Sequence, residues 1–361
     1  MSSIISCDII DTITSPTNTV AAASLIRTSA NNILPFTSRR LSFNMKIVVT
    51  GAAGFLGSRL ADELLSASSP LCPSELLLVD SLAPAPRADP RVRTLALDLS
   101  ASGAAESLVA ADTAALFHLA AVVSGQAEED FDLGLRVNFD ATRALLEAAR
   151  RRAPGLVFVF VSTCGVYGGE LPPVVDERTA PAPETSYGMA KAAAELLVAD
   201  YSRRGFVDGR SVRLPTVTVR GGAPNAAVTS FASGVVREPL RGLRSSLPVP
   251  AERELWVTAP GTVVRNLVRT AQVPGAALGG RRVLNLPGLR VSVRDMVAAL
   301  RALAGEAVAA RVVYEPNETI DRMVATFPIQ FDNSMALRLG FEVNASFTDI
   351  VKEYINEIGN H

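Results

Sequence analysis

The 361-residue chain is predicted to be an α/β protein, a doubly wound parallel sheet with a smaller, discontinuous C-terminal lobe. Three observations predict this. From Met45 onward, short aliphatic runs alternate with apolar patterns at helical spacing, the signature of a parallel sheet covered by helices. The first run, Lys46-Ile-Val-Val-Thr50, opens into Gly51-Ala-Ala-Gly-Phe-Leu-Gly57 and then a helical repeat of Leu56, Leu60, Leu64 and Leu65. The second run, Glu75-Leu-Leu-Leu-Val-Asp80, ends in an acid roughly 20 residues beyond the last glycine. Strand, glycine turn, helix and acidic strand end together make a Rossmann-type dinucleotide-binding unit.

Each part of that unit has a physical job. Gly51 permits the tight turn, Gly54 lets backbone approach a pyrophosphate, and Gly57 lets the helix pack on the strand. Phe55, Leu56 and Gly57 open the helix, whose free N–H groups and positive dipole end suit phosphates. Asp80 is placed to accept hydrogen bonds from an adenosine ribose, and its charge would repel a 2′-phosphate, so NAD is expected over NADP. The nearest cation, Arg87, lies in a Pro-rich loop.

The strands are expected at Ile47–Thr50, Leu76–Val79, Val92–Leu97, Ala115–Leu119, Leu156–Val161 and Ser211–Leu214. Helices are expected between them, roughly Leu56–Ala67, Ala104–Ala111, Phe131–Arg152 and Tyr187–Arg203. Ligands of such sheets bind at the carboxyl ends of the strands. The third strand ends at Asp98 and Leu99, which could contact adenine. The fourth runs into Ala120 and Ala121, small enough for a cofactor to lie against backbone. Asn138, in the long helix, needs polar partners: it is either a cofactor ligand or a buried tie from helix to strand.

The fifth strand runs into Val161-Ser-Thr-Cys-Gly-Val-Tyr-Gly168, and after a Pro-rich loop comes Ser186-Tyr-Gly-Met-Ala-Lys191. Tyr187 and Lys191, four apart at a helix start, share a face. A phenol with an ordinary pKa of about 10 is a poor base at neutral pH. A nearby ammonium and an oxidised nicotinamide would favour the phenolate, and Lys191 can also hold a ribose hydroxyl. Thr163 can orient a substrate hydroxyl toward Tyr187.

Composition excludes other classes. Net charge is −1, so no broad attraction to nucleic acid or an anionic membrane is expected, and no apolar run has the length of a membrane span. Cys7, Cys72 and Cys164 are scattered and odd in number, which suggests a reducing compartment. Two histidines, His118 and His361, argue against a Ser-His-Asp triad and against a multi-His metal site. Residues 1–44 are rich in Ser, Thr and Asn without a period. They read as a non-folding extension, or as a leader to an organelle such as the mitochondrion, although Asp8, Asp11 and the few arginines count against the leader. Without a leader a cytoplasmic location is expected.

Taken together, Thr50-Gly-Ala-Ala-Gly-Phe-Leu-Gly57, the Thr163/Val166-Tyr-Gly168 element and the Tyr187/Lys191 pair resemble the extended short-chain dehydrogenase/reductase superfamily, within its NAD-dependent epimerase/dehydratase family. The resemblance covers nearly everything from Met45 on. It implies Thr163, Tyr187 and Lys191 as the catalytic residues and NAD as cofactor. It also implies a cofactor-binding domain at 45–215 and a substrate lobe over 216–361 with segments returning to the first domain. Strands at Leu255–Thr258 and Val283–Leu286 and helices at Gly261–Ala271, Val293–Ala304 and Phe347–Ile358 are expected there. Relatives often pair through two long helices, so a homodimer is expected through Phe131–Arg152 and Tyr187–Arg203.

A finer resemblance, to the sugar-acid dehydrogenases of that superfamily, rests on His118-Leu-Ala-Ala-Val-Val-Ser-Gly-Gln-Ala-Glu-Glu-Asp-Phe-Asp-Leu-Gly134. It rests also on Val212-Arg-Leu-Pro-Thr-Val-Thr-Val-Arg220, on 222–234, and on Arg237-Glu-Pro-Leu240. Gly221 departs from the proline expected there. This likeness implies oxidation of the C2 hydroxyl of a four-carbon sugar acid. Arg220 and Arg237 are the candidates for a clamp on its carboxylate. A nucleotide-sugar epimerase and a non-catalytic NAD-binding protein are the rivals. A dehydratase would carry an Asp-Glu pair where Cys164-Gly165 stands.

Overall fold

The structure is a computed structural model that describes residues 45–224 and 227–359. The expectations for residues 1–44, and for Asn225, Ala226 and His361, lie outside those described.

Seven parallel strands form the central sheet. In chain order they are β1 (Lys46–Thr50), β2 (Glu75–Asp80), β3 (Val92–Ala96), β4 (Thr113–His118), β5 (Val157–Thr163) and β6 (Asp208–Leu214), then a short strand, Val283–Asn285, from the second half of the chain. The spatial order is β3-β2-β1-β4-β5-β6 followed by that late strand, so the order reverses between β1 and β4. Val48 pairs with Leu77 on one side and Leu116 on the other. A crevice opens at the reversal, outside the carboxyl ends of these two strands.

Alternation along the strands decides which layer each residue feeds. Ile47 and Val49 point into the core beneath α1 (Phe55–Leu65), with Leu60, Leu64, Phe117 and Val159. Val48 points into the opposite core, with Leu116, Phe158, Phe160, Leu145 and Val198. Each fully buried Leu or Phe contributes about 1.5–3 kcal/mol. That second core is covered by α2 (Ala104–Leu108) and two long helices. The first long helix follows α3 (Ser124–Glu129). It begins as α4 (Phe131–Leu135), passes through a π-helical turn at Arg136–Asp140, and continues as α5 (Ala141–Arg152). The second is α6 (Ser186–Arg203).

Beyond β6 the chain builds the lobe: β7 (Thr216–Val217), α7 (Phe231–Leu240), β8 (Ser245–Leu247) and β9 (Glu254–Thr258). Next come α8 (Pro260–Gln272), β10 (the Val283–Asn285 strand), β11 (Leu289–Ser292) and α9 (Val293–Ala304). The chain closes with α10 (Glu306–Ala309), β12 (Val312–Tyr314), α11 (Glu318–Ala325), α12 (Ser334–Arg338) and α13 (Phe347–Gly359). The lobe has its own core of Val235, Leu255, Val257, Met296, Leu300, Ile350 and Tyr354. Three pieces go back to the main sheet: β10 pairs with β6, α8 supplies Val263, Val264 and Leu267 to the α1 side, and α12 with Phe341 joins the same core through Ala336. Sequence periodicity does not reveal α3, α7, α10, α11, α12, β7, β8, β11 or β12. α7 carries Gly234 and Pro239 within its span, and the others are too short to show a period.

Candidate active site

The glycine turn sits in the crevice. Gly51 has φ +75, and a Cβ there would lie 2.6 Å from the Ala120 nitrogen at the end of β4. Only glycine allows both the left-handed conformation and this approach. A Cβ on Gly57 would lie 2.1 Å from the Gly51 carbonyl, so α1 packs directly on the turn. Gly54 is different: its absent Cβ would meet only the Gly51 oxygen, at 3.1 Å, and its face is otherwise open. Gly54 caps α1 with no side-chain hydrogen bond, which leaves helix N–H groups for an anion. Asp80 is fastened beside the turn, where its Oδ2 accepts the Ala53 N–H at 3.0 Å. Arg87 is committed elsewhere, to Asp62 at 2.7 Å and to the Ser58 carbonyl at 2.8 Å. The open glycine face, the uncapped N–H groups and the adjacent acid fit a dinucleotide with a free ribose hydroxyl.

Other residues expected at the cofactor fall into two groups. Gly51, Gly54, Phe55, Leu56, Gly57 and Ala121 line one cavity of about 640 Å³, and Ala120 backs onto Gly51. Asp98, Leu99 and Asn138 are not among the cavity walls. Asp98 accepts the Ser100 N–H and hydroxyl at 2.8 Å each, and these bonds hold its carboxyl below the ordinary range. Leu99 is buried in the sheet-side core. Asn138 is buried in the π-helical turn, and Val122 engages both ends of its amide, at 2.8 and 3.0 Å. Of the two readings open for Asn138, the tie from helix to strand is the one present.

Thr163 ends β5 and Tyr187 lies in the first turn of α6, and both line the cavity. Thr185 caps α6 by accepting the Gly188 N–H at 3.0 Å. A Cβ on Gly188 would lie 2.4 Å from the Gly165 carbonyl, so the helix start is pressed against the turn that follows β5. Tyr187 and Thr163 thus line the same cavity. Lys191 follows one turn later and is buried. Its Nζ donates to the Val161 carbonyl at 2.9 Å, 4.6 Å from the Phe160 ring centre and 5.8 Å from that of Tyr187.

The electrostatics differ from the sequence expectation. Burial pushes the Tyr187 phenol up to about 12, and Lys191 does not offset this. Burial pulls Lys191 down to about 7, partly opposed by Glu195. Both groups are disfavoured in their charged forms by the same loss of water. His118, at the end of β4, is buried between Thr50 and Thr142, at 2.7 and 2.9 Å. Burial, then the Lys191 charge, pushes it down to about 3, so it is neutral. The Thr142 hydroxyl donates to the Asn138 carbonyl and therefore accepts from His118 Nε2–H.

Behind the cavity lies a buried network that sequence reading missed. Glu195 accepts the Ser162 hydroxyl at 2.5 Å and the Nε and Nη2 donors on one edge of the Arg213 guanidinium. Arg213 also donates to the Tyr167 hydroxyl, itself 2.9 Å from Asn285 Oδ1 on β10. The available signal was spacing: Glu195 stands four residues after Lys191 on the same helix. The two candidate arginines also separate. Arg237 also touches the cavity, but it is buried, donates to the Arg220 carbonyl at 2.9 Å, and is paired with Glu238. Arg220 lines the cavity with its guanidinium 5.3 Å from the Phe55 ring centre and makes no ion pair among the described residues.

Sheet order, glycine turn and Tyr/Lys helix define an extended short-chain dehydrogenase/reductase type of enzyme. Residues 47–269 match the NAD dependent epimerase/dehydratase family, and the chain belongs to that family. It is 49% identical to a D-erythronate dehydrogenase of Cupriavidus necator over 321 residues, which is 87% of this chain and 99% of the relative. It is 44% identical to a D-erythronate dehydrogenase of Haemophilus influenzae over 312 residues, 86% of this chain and 99% of that one. A crystal structure described as a nucleoside-diphosphate-sugar epimerase from Agrobacterium tumefaciens is 40% identical, with a TM-score of 0.84 over 88% of this chain and 96% of that chain. The protein is an NAD-dependent dehydrogenase. Among the described residues, no helix is long and apolar enough to cross a membrane.

Proposed function

We propose that the enzyme oxidises the C2 hydroxyl of a four-carbon sugar acid of the D-erythronate type to the 2-oxo acid. The observation that carries this reading is the Arg220 guanidinium, which shares a cavity with Thr163 and Tyr187 and has no acid partner among the described residues. An anionic substrate would complete that pairing, and guanidinium suits a carboxylate through two parallel bonds. The two D-erythronate dehydrogenases, each matched along 99% of its length, support the same substrate class.

Tyr187 takes the hydroxyl proton as the C2–O bond becomes a carbonyl. Thr163, whose Oγ1 accepts the Gly165 N–H at 3.0 Å, is left with its own hydroxyl proton to orient the substrate oxygen. The Gly51–Gly57 turn and Asp80 hold the dinucleotide, and Asp80 selects NAD over NADP. When bound, the cofactor supplies an acceptor for the C2 hydride and a positive charge that favours the phenolate. Lys191 leaves the Val161 carbonyl to hold a ribose hydroxyl and to add to that charge.

Purified protein with NAD and D-erythronate should give a steady rise of NADH absorbance, faster as pH rises because the phenol must ionise. A UDP-sugar is the control substrate. Its turnover without NADH release, with D-erythronate inert, would overturn the reading in favour of an epimerase. We propose further that α4–α5 and α6 form a homodimer face, where Leu196 is 73% exposed on α6. Leu196→Glu should then sediment as a monomer, and an unchanged sedimentation coefficient would remove that face.

A further inference from the structure

One wall of the cavity has no task in the C2 chemistry. The short α3 presents Ser124, Gly125 and Glu128 to the cavity, residues that lie on one face of the helix because Ser124 and Glu128 are four apart. Glu128 Oε1 accepts the backbone N–H of Ser186 at 2.6 Å. Its carboxylate is thereby fastened to the residue before Tyr187. It makes no ion pair among the described residues, and no bond there engages its second oxygen or the Ser124 hydroxyl.

We infer that Glu128, with Ser124, binds the substrate hydroxyls distal to C2 and so sets a preference for a polyhydroxy acid over a plain 2-hydroxy acid. This rests on the proposed C2 oxidation and extends it. A carboxylate has no donor, so its natural ligands in a small molecule are hydroxyl protons. It also repels the substrate's own carboxylate, while Arg220 attracts it. A carboxylate and a guanidinium in one cavity therefore orient a molecule with an acid at one end and hydroxyls at the other. A site built to bond a hydroxyl rejects the analogue that lacks it, because its polar group is then left unpaired.

The test compares D-erythronate with 2-hydroxybutyrate of the same C2 configuration, which keeps the carboxylate and the C2 hydroxyl and lacks the others. The full chain is assayed with NAD. Wild-type kcat/KM should favour D-erythronate by about a hundredfold or more. Glu128→Gln keeps a carbonyl for the Ser186 N–H but turns the free acceptor into a donor. It should lower kcat/KM for D-erythronate about tenfold, mainly through KM, and leave 2-hydroxybutyrate within about twofold. Ser124→Ala, which leaves the Glu128–Ser186 bond in place, should give the same pattern at about threefold. Equal losses on both acids would mean that Glu128 only props α6, and would overturn the inference while leaving C2 oxidation standing. Wild-type protein inert toward both acids would overturn the two together.

Discussion

Lys191 and Glu195 stand one turn apart on α6, both buried, and they end in opposite circumstances. Glu195 faces the rear of β5, where Arg213 and Ser162 satisfy its oxygens. Lys191 faces Phe160 and Tyr187, where, among the described residues, one carbonyl accepts from it and no carboxylate pairs with it. A buried charge with a full set of partners becomes part of the scaffold. A buried charge left short of partners stays easy to move, and its protonation responds to what enters the site. One helix thus holds a fully paired rear and a front short of partners, and the proposed chemistry falls to the front.

The largest expected effect tests the front. Tyr187→Phe should reduce kcat about a thousandfold while the melting temperature and NAD affinity stay near wild type. A variant that retains most of its activity would place the proton acceptor elsewhere. The rear should respond in the other currency. Glu195→Gln leaves Arg213 buried without its charge partner and should cost about 3 kcal/mol in denaturant unfolding. Little loss of stability there would erase the distinction between the two ends of the helix.

The lobe offers the same contrast at smaller scale. Arg237 is paired with Glu238, whereas Arg220 makes no ion pair among the described residues. Arg220→Leu should raise KM for the acid roughly tenfold or more with little change in the melting temperature. Arg237→Leu should instead lower the melting temperature, because it strands Glu238 and the Arg220 carbonyl. Reversal of these two results would exchange the arginines' roles.

The smallest effect is a pH dependence. Folded Lys191 titrates at about 7, below the ordinary lysine value of about 10.4. Between those values the unfolded chain holds the proton and the folded chain does not, so this group makes stability rise with pH. Below 7 both forms are charged and the burial penalty is fully felt. Lys191→Met, which removes the penalty, should be more stable than wild type at pH 6. That gap should close as pH climbs from 7 toward 10. A gap of constant size across melts at pH 6, 8 and 10 would assign the difference to packing alone.

Much of this was legible before folding was considered. The glycine spacing, the acid at the end of β2 and the Tyr187/Lys191 pair are local, because each depends on neighbours in the chain or on one helical turn. The six main strands and the long helices were equally plain, since burial on both faces demands continuous apolar runs and helices carry a 3.6-residue period. Asn138 was not decided by its surroundings in sequence, because a π-helical turn aims it at Val122. Glu128 gave no signal, because α3 is six residues long and mostly polar.

The chain alone therefore determined the sheet, the glycine turn and the placing of Tyr187 and Lys191 one helical turn apart. Tertiary structure decided which arginine remained unpaired, which acids reached the cavity, and the direction of the Tyr187 shift. The reason is physical. Local conformation follows from near neighbours, but pairing and desolvation depend on which distant groups fill the space around a charge, and only the folded chain brings those groups together.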